Sequence, residues 1–462
     1  MASPPPPGDA DGKPAKPSVG SGAMDLRSIL ARIRKNAGFL LGSTGVTTLA
    51  GLAQVALNAR ALGPHGLGML ALVQAYVEVL DRIFDFETWQ PLINFGSQAI
   101  KDEDYGKLRD VVALAILFDV AAALASGVVA LSILAFASAF TSIDPVFIGY
   151  AAIFSCGLFL RVNGAPIGVM RLLDRFSVIA AVQSVMALTR LAVIVVLFLL
   201  EAPLLHYVVA YTCFMVMTNL AMFASAMIVF HRRGLPPLLE ARPHDLRVLF
   251  GGFSKFSWST SAMATINGLR RRVDIFLLGA LVGTEAVGLY AVVQRIYTAT
   301  SKFTDVFAQV TYPEIVSIAK REEFGKLFRL VIRLFLVGLG MGVAALIGSL
   351  VLGPWALEVI AGESFRASAG PLNWLMAAFA IWIAGFWIRA LVLSTLGPIH
   401  YLKTILISAA ALAVVAPPAI WMFGANGAGI SQFTFNLVWF AINVGAVYLH
   451  IRRQRESQTG AS

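Results

Sequence analysis

The sequence predicts an all-α polytopic membrane protein. About twelve transmembrane helices are expected in two six-helix lobes, with both termini cytoplasmic. Three observations predict this: an apolar composition, an alternation of basic and uncharged loops, and an internal repeat spaced by six helices. Apolar residues make up 58% of the chain and charged residues 13%, against about 45–50% and about 25% in soluble domains. Mean hydropathy is +0.77. A soluble chain of 462 residues would form about two or three domains with a far more charged surface.

The chain opens with MASPPPPGDADGKPAKPSVGSG. This stretch is polar and rich in Pro and Gly, with no apolar core after a basic region. It predicts a disordered cytoplasmic tail over 1–24 and not a signal peptide. A membrane-crossing helix needs about 20 mostly apolar residues. Such runs fall at 36–62, 66–90, 111–139, 145–170, 177–200, 203–230, 253–281, 286–312, 326–352, 371–395, 401–423 and 427–450. The implied units are an N-terminal lobe over 25–230, a cytoplasmic linker over 231–252, a C-terminal lobe over 253–450, and a tail over 451–462.

The loops assign the sides. Arg27, Arg32, Arg34 and Lys35 precede the first span, and Lys101, Lys107 and Arg109 follow the second. Arg171 and Arg175 follow the fourth, and Arg232, Arg233, Arg242 and Arg247 the sixth. Lys320, Arg321, Lys326 and Arg329 flank the eighth loop, Lys403 lies in the tenth, and Arg452, Arg453 and Arg455 end the chain. Of the intervening loops, FTSIDP, EAPLLH, VGTEAVG and FGANGAG contain no Lys or Arg, and the ninth has Arg366 only, beside Glu358 and Glu363. Basic residues collect on the cytoplasmic side, so this alternation predicts an even number of spans. It also accounts for the net charge of +10 without nucleic acid. Cys156 and Cys213 lie in apolar runs, which predicts packing rather than a disulfide framework or a metal site.

LGPHGLGMLALVQ (62–74) matches VGTEAVGLYAVVQ (282–294) at an offset of 220 residues. Gly63 meets Gly283, Gly68 meets Gly288, Gln74 meets Gln294, and further on Asp85 meets Asp305. Six spans separate the copies. Six is even, so both lobes sit the same way up, and transporters built this way hold substrate between lobes near the midplane.

NGLRRRVDIFLLGALVGTEAVG (267–288) puts three arginines inside the seventh span. Arg271 would lie roughly 15 Å from the outer end, at 1.5 Å per residue, near the centre of a core about 30 Å thick. A span starting only after the arginines would be too short. A charge at that depth costs at least about 2.5–3.5 kcal/mol, so it faces a wet cavity or a partner. On a continuous helix Thr260, Asn267, Arg270, Arg271 and Asp274 share one face. Arg270 and Arg271 are therefore expected to face the cavity and Arg272 a neighbouring helix. Arg270 and Asp274 are also spaced to pair.

The eighth span carries Arg295, Thr298, Lys302, Asp305 and Gln309 in one stripe, and the second carries Gln74, Glu78, Asp81 and Asp85. Arg190 and Asp119 are embedded too, with Arg161 and Arg389 nearer the cytoplasmic side. Taken singly, each is better read as half of a helix–helix ion pair or as a snorkelling side chain than as a substrate contact. Together they predict an arginine-rich interior, and the guanidinium fork suits phosphate and carboxylate. The expected substrate-binding residues are Arg270, Arg271, Arg295, Arg190 and Asn267. The expected residues for a coupling cation or proton are Glu78, Asp81, Asp85, Asp274 and Asp305. The sequence holds no metal-site spacing, cofactor motif or membrane ATPase motif.

These segments carry a resemblance. ALGPHGLGMLALVQAYVEVLDRI and RRRVDIFLLGALVGTEAVGLYAVVQRIYTATSKFTDVFAQVTYPEI, with twelve spans as six plus six, resemble the polysaccharide-transport branch of the multidrug/oligosaccharidyl-lipid/polysaccharide (MOP) exporter superfamily. The most family-like positions are Asp274, Gly279, Gly283, Gly288 and Tyr290, followed by Arg295 and Pro313. The resemblance covers roughly 30–450. It implies two lobes around a central cavity that work by alternating access in a bacterial inner membrane. It further implies flipping of an undecaprenyl-diphosphate-linked oligosaccharide to the outer leaflet, for O-antigen, capsule or exopolysaccharide. A polysaccharide polymerase would be the downstream partner.

The alternative within the superfamily is a cation-coupled multidrug antiporter, whose cavity should lean acidic and aromatic. A major-facilitator carrier would need a short Gly-Asp-Arg-rich loop after span 2. PLINFGSQAIKDEDYGKLRD reads instead as an amphipathic interfacial segment. A polymerase would need a large periplasmic loop, and a glycosyltransferase an exposed acidic or metal-binding one. Neither is present.

Overall fold

The computed structural model describes residues 26–140, 143–240, 243–270, 272–320 and 324–459. Every regular element there is helical. The first is α1 (Leu26–Phe84), which takes in the first two predicted spans. It bends at Gly63, whose φ of 65° and ψ of −179° are non-helical, with Pro64 next. Glycine tolerates that left-handed φ, and proline has no N–H to continue the helical ladder. α2 (Trp89–Lys101) is the predicted interfacial segment and buries Leu92, Gly96 and Ala99 along one face.

The N-terminal half continues with α3 (Tyr105–Phe140), α4 (Pro145–Cys156), α5 (Gly164–Leu172), α6 (Phe176–Leu199) and α7 (Leu204–Arg232). The C-terminal half comprises α8 (Pro243–Arg270), α9 (Val273–Leu281), α10 (Thr284–Lys320) and α11 (Phe324–Ala361). It ends with α12 (Ala369–Ala384), α13 (Ile388–Thr395), α14 (Pro398–Phe423) and α15 (Ala425–Thr459). Three predicted spans are broken. The fourth is split into α4 and α5, the seventh into α8 and α9, and the tenth into α12 and α13. The fourth and tenth are repeat-related. Asn163–Gly164 and Gly385 mark their breaks, and backbone freed inside a membrane is tolerated only where protein or a cavity surrounds it.

Among the described residues, nine helical stretches are long and apolar enough to cross a membrane. The first, Gly38–Lys101, contains the bend at Gly63. The other predicted spans that do not qualify are the seventh, divided around its arginines, and the eighth, which bears the polar stripe. The perimeter is apolar, with Val128, Phe136, Leu220, Leu352, Trp355, Val414 and Trp421 exposed. Cys156 and Cys213 are exposed as well, which corrects the expectation that they pack inside. An apolar run lets a small side chain face lipid as readily as a neighbouring helix.

In lipid, burial removes no apolar group from water, so helix association rests on close packing of small residues. A Cβ on Gly338 would lie 2.3 Å from the Ile383 carbonyl oxygen, and one on Gly342 2.5 Å from Ala380 Cα. That glycine pair seats α11 on α12. α1 and α10 form a long seam between the halves. At one end Arg60 Nε donates to the Ile360 carbonyl (3.1 Å), and its Nη2 to Val359. A cation there complements the C-terminal end of α11.

α8 lies at the start of the second lobe in sequence, yet it packs on α1, α2 and α3. Its aromatic residues explain this. Trp258 meets Phe86 edge-on at 5.1 Å, and Phe253 and Phe250 lie 5.3 and 5.4 Å from Phe118. Ser261 and Thr265 donate to the carbonyls of Asp85 (2.6 Å) and Arg82 (3.0 Å), which α1 leaves open at its end.

Candidate functional site

The site grows from the polar face of α1. Thr48, Gly51, Gln54 and Asn58 follow one another at helical spacing and face α6, α7 and α10. Arg295 of α10 lies against Gly51, where a Cβ would stand 1.9 Å from its Nη2. Glycine at 51 is thus the notch that admits the guanidinium. One turn and more along the same stripe, Lys302 Nζ donates to Thr48 Oγ1 (2.8 Å). Glu78, on the other side of the Gly63 bend, also lies within electrostatic range of Arg295. The two halves of α1 therefore double back beside one another.

Two further arginines lie within the same range of Arg295: Arg190 of α6, and Arg272 at the start of α9. Arg190 stacks over the Tyr211 ring with its Cζ 5.3 Å from the centroid. Asn58 Nδ2 donates to the Tyr211 hydroxyl (2.8 Å), and Gln54 Nε2 to the Ala187 carbonyl (3.1 Å). Arg272 pairs with Glu78. It thus turns to a neighbouring helix as expected, and it also joins the basic cluster. Three cations around one carboxylate leave a surplus of positive charge on half-buried side chains. Guanidinium groups carry planar forks of donors, the chemistry that suits oxyanions such as phosphate and carboxylate.

Arg190 and Arg295 are therefore brought together. Arg271, and the side chains of Asn267 and Arg270, lie outside the described residues. Asp274 is buried and accepts from the Tyr290 hydroxyl (2.5 Å) and Gln294 Nε2 (3.5 Å). Asp305 is exposed on α10.

The remaining carboxylates belong to a second locus inside the first half. Asp81 pairs with Arg161. Asp85 and Glu87 both bind Arg82 at 2.9 Å. Asp119 accepts from Thr88 Oγ1 (2.5 Å) and from the Ala165 backbone N–H (2.7 Å) at the start of α5. Gly164 leaves room for this, since a Cβ there would lie 2.0 Å from Thr88 Oγ1. A cavity of about 30 Å³ opens among Asp81, Asp85, Asp119, Ser126, Arg161 and Asn163. Arg190, Arg272 and Arg295 do not line it.

The family model described as "Polysaccharide biosynthesis protein" matches residues 33–319, more than half of the chain. The chain belongs to the polysaccharide biosynthesis protein family. The match spans both halves of the α1–α10 seam, so the site of this polysaccharide biosynthesis protein falls within it. The inner membrane protein YghQ of Escherichia coli (strain K12) is 22% identical over 333 residues, 72% of this chain and 93% of that protein. An inward-facing multidrug resistance MATE family transporter of the MOP superfamily matches at a TM-score of 0.72 with 14% identity, covering 89% and 96% of the two chains. The lipid II flippase MurJ, in an inward closed conformation, matches at 0.67 with 12% identity, covering 89% and 87%. At such identities the structures speak for the fold alone. It is the MOP fold that the resemblance implied, and this family member is a multi-pass membrane protein.

Sequence reasoning missed Gly51, Asn58 and Tyr211. For Asn58 a signal was available in α1, where it and Gln54 interrupt an apolar run one turn apart. The helical-wheel reading assumed one continuous helix, whereas α8 ends at Arg270 and α9 begins at Val273.

Proposed function

We propose that this polysaccharide biosynthesis protein is a flippase. It moves a polyprenyl-diphosphate-linked oligosaccharide from the cytoplasmic to the outer leaflet of a bacterial inner membrane. One observation carries the reading: Arg190, Arg272 and Arg295 come from different helices and converge on the seam between the two halves, with Glu78 as their acidic neighbour. A fixed diphosphate charge moving through lipid needs such a compensating cluster. Twelve crossings with both termini cytoplasmic fit the loop charges, and rocking of the two halves about the seam supplies alternating access. Arg270, Arg271 and Asn267 extend the cluster in this reading. Asp81 and Asp85 respond to a coupling proton or cation, and Asp274 and Asp305 are further candidates. A polysaccharide polymerase consumes the product.

The test is a strain whose surface glycan depends on this chain. Arg295→Ala and Arg190→Ala should each abolish surface glycan while the protein inserts normally, and lipid-linked oligosaccharide should accumulate on the inner leaflet. Export at the parental level from both variants would overturn the reading.

The acidic cavity around Asp81, Asp85 and Asp119 favours one alternative, a cation-coupled multidrug antiporter. That reading expects drug susceptibility to rise on deletion while surface glycan stays unchanged.

A further inference from the structure

Asn58 is only 2% exposed, yet among the described residues its Oδ1 has no hydrogen-bond partner. Its Nδ2 is used on the Tyr211 hydroxyl, so the open function is an acceptor. Arg190 Nε is likewise buried and without a partner among the described residues, and the open function there is a donor. Both side chains touch Tyr211, one at its hydroxyl and one at its ring face. A buried acceptor and a buried donor left open on the same aromatic are costly in an apolar setting. They suit one kind of guest group, which accepts from Arg190 and donates to Asn58.

We infer that Asn58, Tyr211 and Arg190 form a recognition pocket for the sugar joined directly to the diphosphate, read through one hydroxyl or acetamido substituent. An acetamido group meets the pair with its carbonyl oxygen on Arg190 Nε and its N–H on Asn58 Oδ1. A hydroxyl meets both with one oxygen. The pocket adjoins the cationic cluster because Arg190 belongs to both, which is where the first sugar lies when Arg272 and Arg295 hold the phosphates. The inference rests on the flippase reading and adds to it a contact that selects the glycan rather than the charge. Tyr211 acts as a positioning residue, holding the Asn58 amide by its Nδ2 so that its oxygen stays open to a donor.

The test is equilibrium binding to the purified full chain in detergent. The probes are a polyprenyl diphosphate and the same lipid carrying one 2-acetamido sugar. The parent should bind the sugar-bearing lipid about tenfold tighter, as two added hydrogen bonds allow. Asn58→Leu should bring that ratio close to one. A ratio of one in the parent would overturn the inference. So would a ratio kept at about tenfold in Asn58→Leu, as expected if a structural water fills the pocket. Should Asn58→Leu fail to fold, Tyr211→Phe decides: a preference reduced about threefold or more supports the pocket, and a retained one overturns it. Arg295→Ala tests the parent reading separately, since it should weaken both lipids equally. If bare-lipid affinity survives Arg295→Ala, the flippase reading fails irrespective of Asn58.

Discussion

Gly68 and Gly288 cross back to back where the two halves of the molecule meet. A Cβ on Gly68 would lie 1.7 Å from the Thr284 carbonyl oxygen, and one on Gly288 would lie 1.8 Å from the Pro64 carbonyl oxygen. Gly68 and Gly288 are repeat-related, and so are Pro64 and Thr284. Each half thus offers the other the same contact, as an axis of two-fold pseudosymmetry requires. The bend glycines Gly63 and Gly283 share positive φ values, 65° and 114°. The neighbours at the crossing are backbone and cannot rotate away. Gly68→Ala and Gly288→Ala should therefore each destabilise the detergent-solubilised protein by about 1–3 kcal/mol, the usual cost of overpacking. A thermal midpoint equal to the parent's in both variants would remove the crossing from the account.

Gly51 poses the opposite case. The atom its Cβ would meet is the far end of Arg295, a flexible side chain. Gly51→Ala should leave the thermal midpoint close to the parent's but push the guanidinium out of its notch. Displacing a positioning group by about 1 Å costs up to a hundredfold in rate, so flipping should fall by about tenfold or more. Transport assayed in vesicles, with insertion checked on the same preparation, separates the two effects. Parental transport by Gly51→Ala would mean that Arg295 works from elsewhere.

Much of this fold was legible because lipid leaves few choices. Apolar runs of about 20 residues, basic loops on alternate sides, and the repeat of 62–74 at 282–294 all reflect requirements that act on sequence directly. The helix breaks were less legible. Gly164 and Gly385 are read as breaks only once their surroundings are known, since Gly338 and Gly342 serve close packing inside an unbroken helix. The site divides the same way. Charges such as Arg190 and Arg295 stand out in an apolar sequence. Their partners depend on which helices touch, and Glu78 reaches Arg272 only because α1 folds back at Gly63. Tyr211 was hidden because an aromatic in a membrane span has many ordinary roles.

Asp119 ties three elements together. Its two oxygens are held by Thr88, in the turn after α1, and by the Ala165 N–H at the start of α5. Hydrogen bonds to a charged acceptor are each worth about 1.5–3 kcal/mol, and a carboxylate also favours a helix N-terminus. Asp119→Asn removes the charge and turns one acceptor oxygen into a donor, which meets Thr88 Oγ1 only if that hydroxyl reverses and accepts. It should destabilise by about 2–3 kcal/mol, and Thr88→Val by less. Calibrated thermal melts of both variants check the order. An Asp119→Asn protein as stable as the parent would show that the α5 break is held by other means.

Glu78 and Arg272 make the most direct electrostatic test, because the pair sets the net charge of the cluster. Glu78 is the acidic neighbour among Arg190, Arg272 and Arg295. Glu78→Gln removes that compensation, so affinity for a polyprenyl diphosphate should rise several-fold at low salt. The gain should shrink as ionic strength rises and the Debye length falls from about 30 Å at 0.01 M to about 8 Å at 0.15 M. Turnover should fall at the same time, since a site that holds its anion too tightly releases it slowly. Arg272→Gln should act oppositely and lower affinity. The exchange Glu78→Arg with Arg272→Glu restores the charge count, so its affinity should return toward the parent's even if packing suffers. Dissociation constants at two salt concentrations decide the matter. If Glu78→Gln binds the lipid no more tightly than the parent at low salt, the arginines are structural and the anion travels by another route.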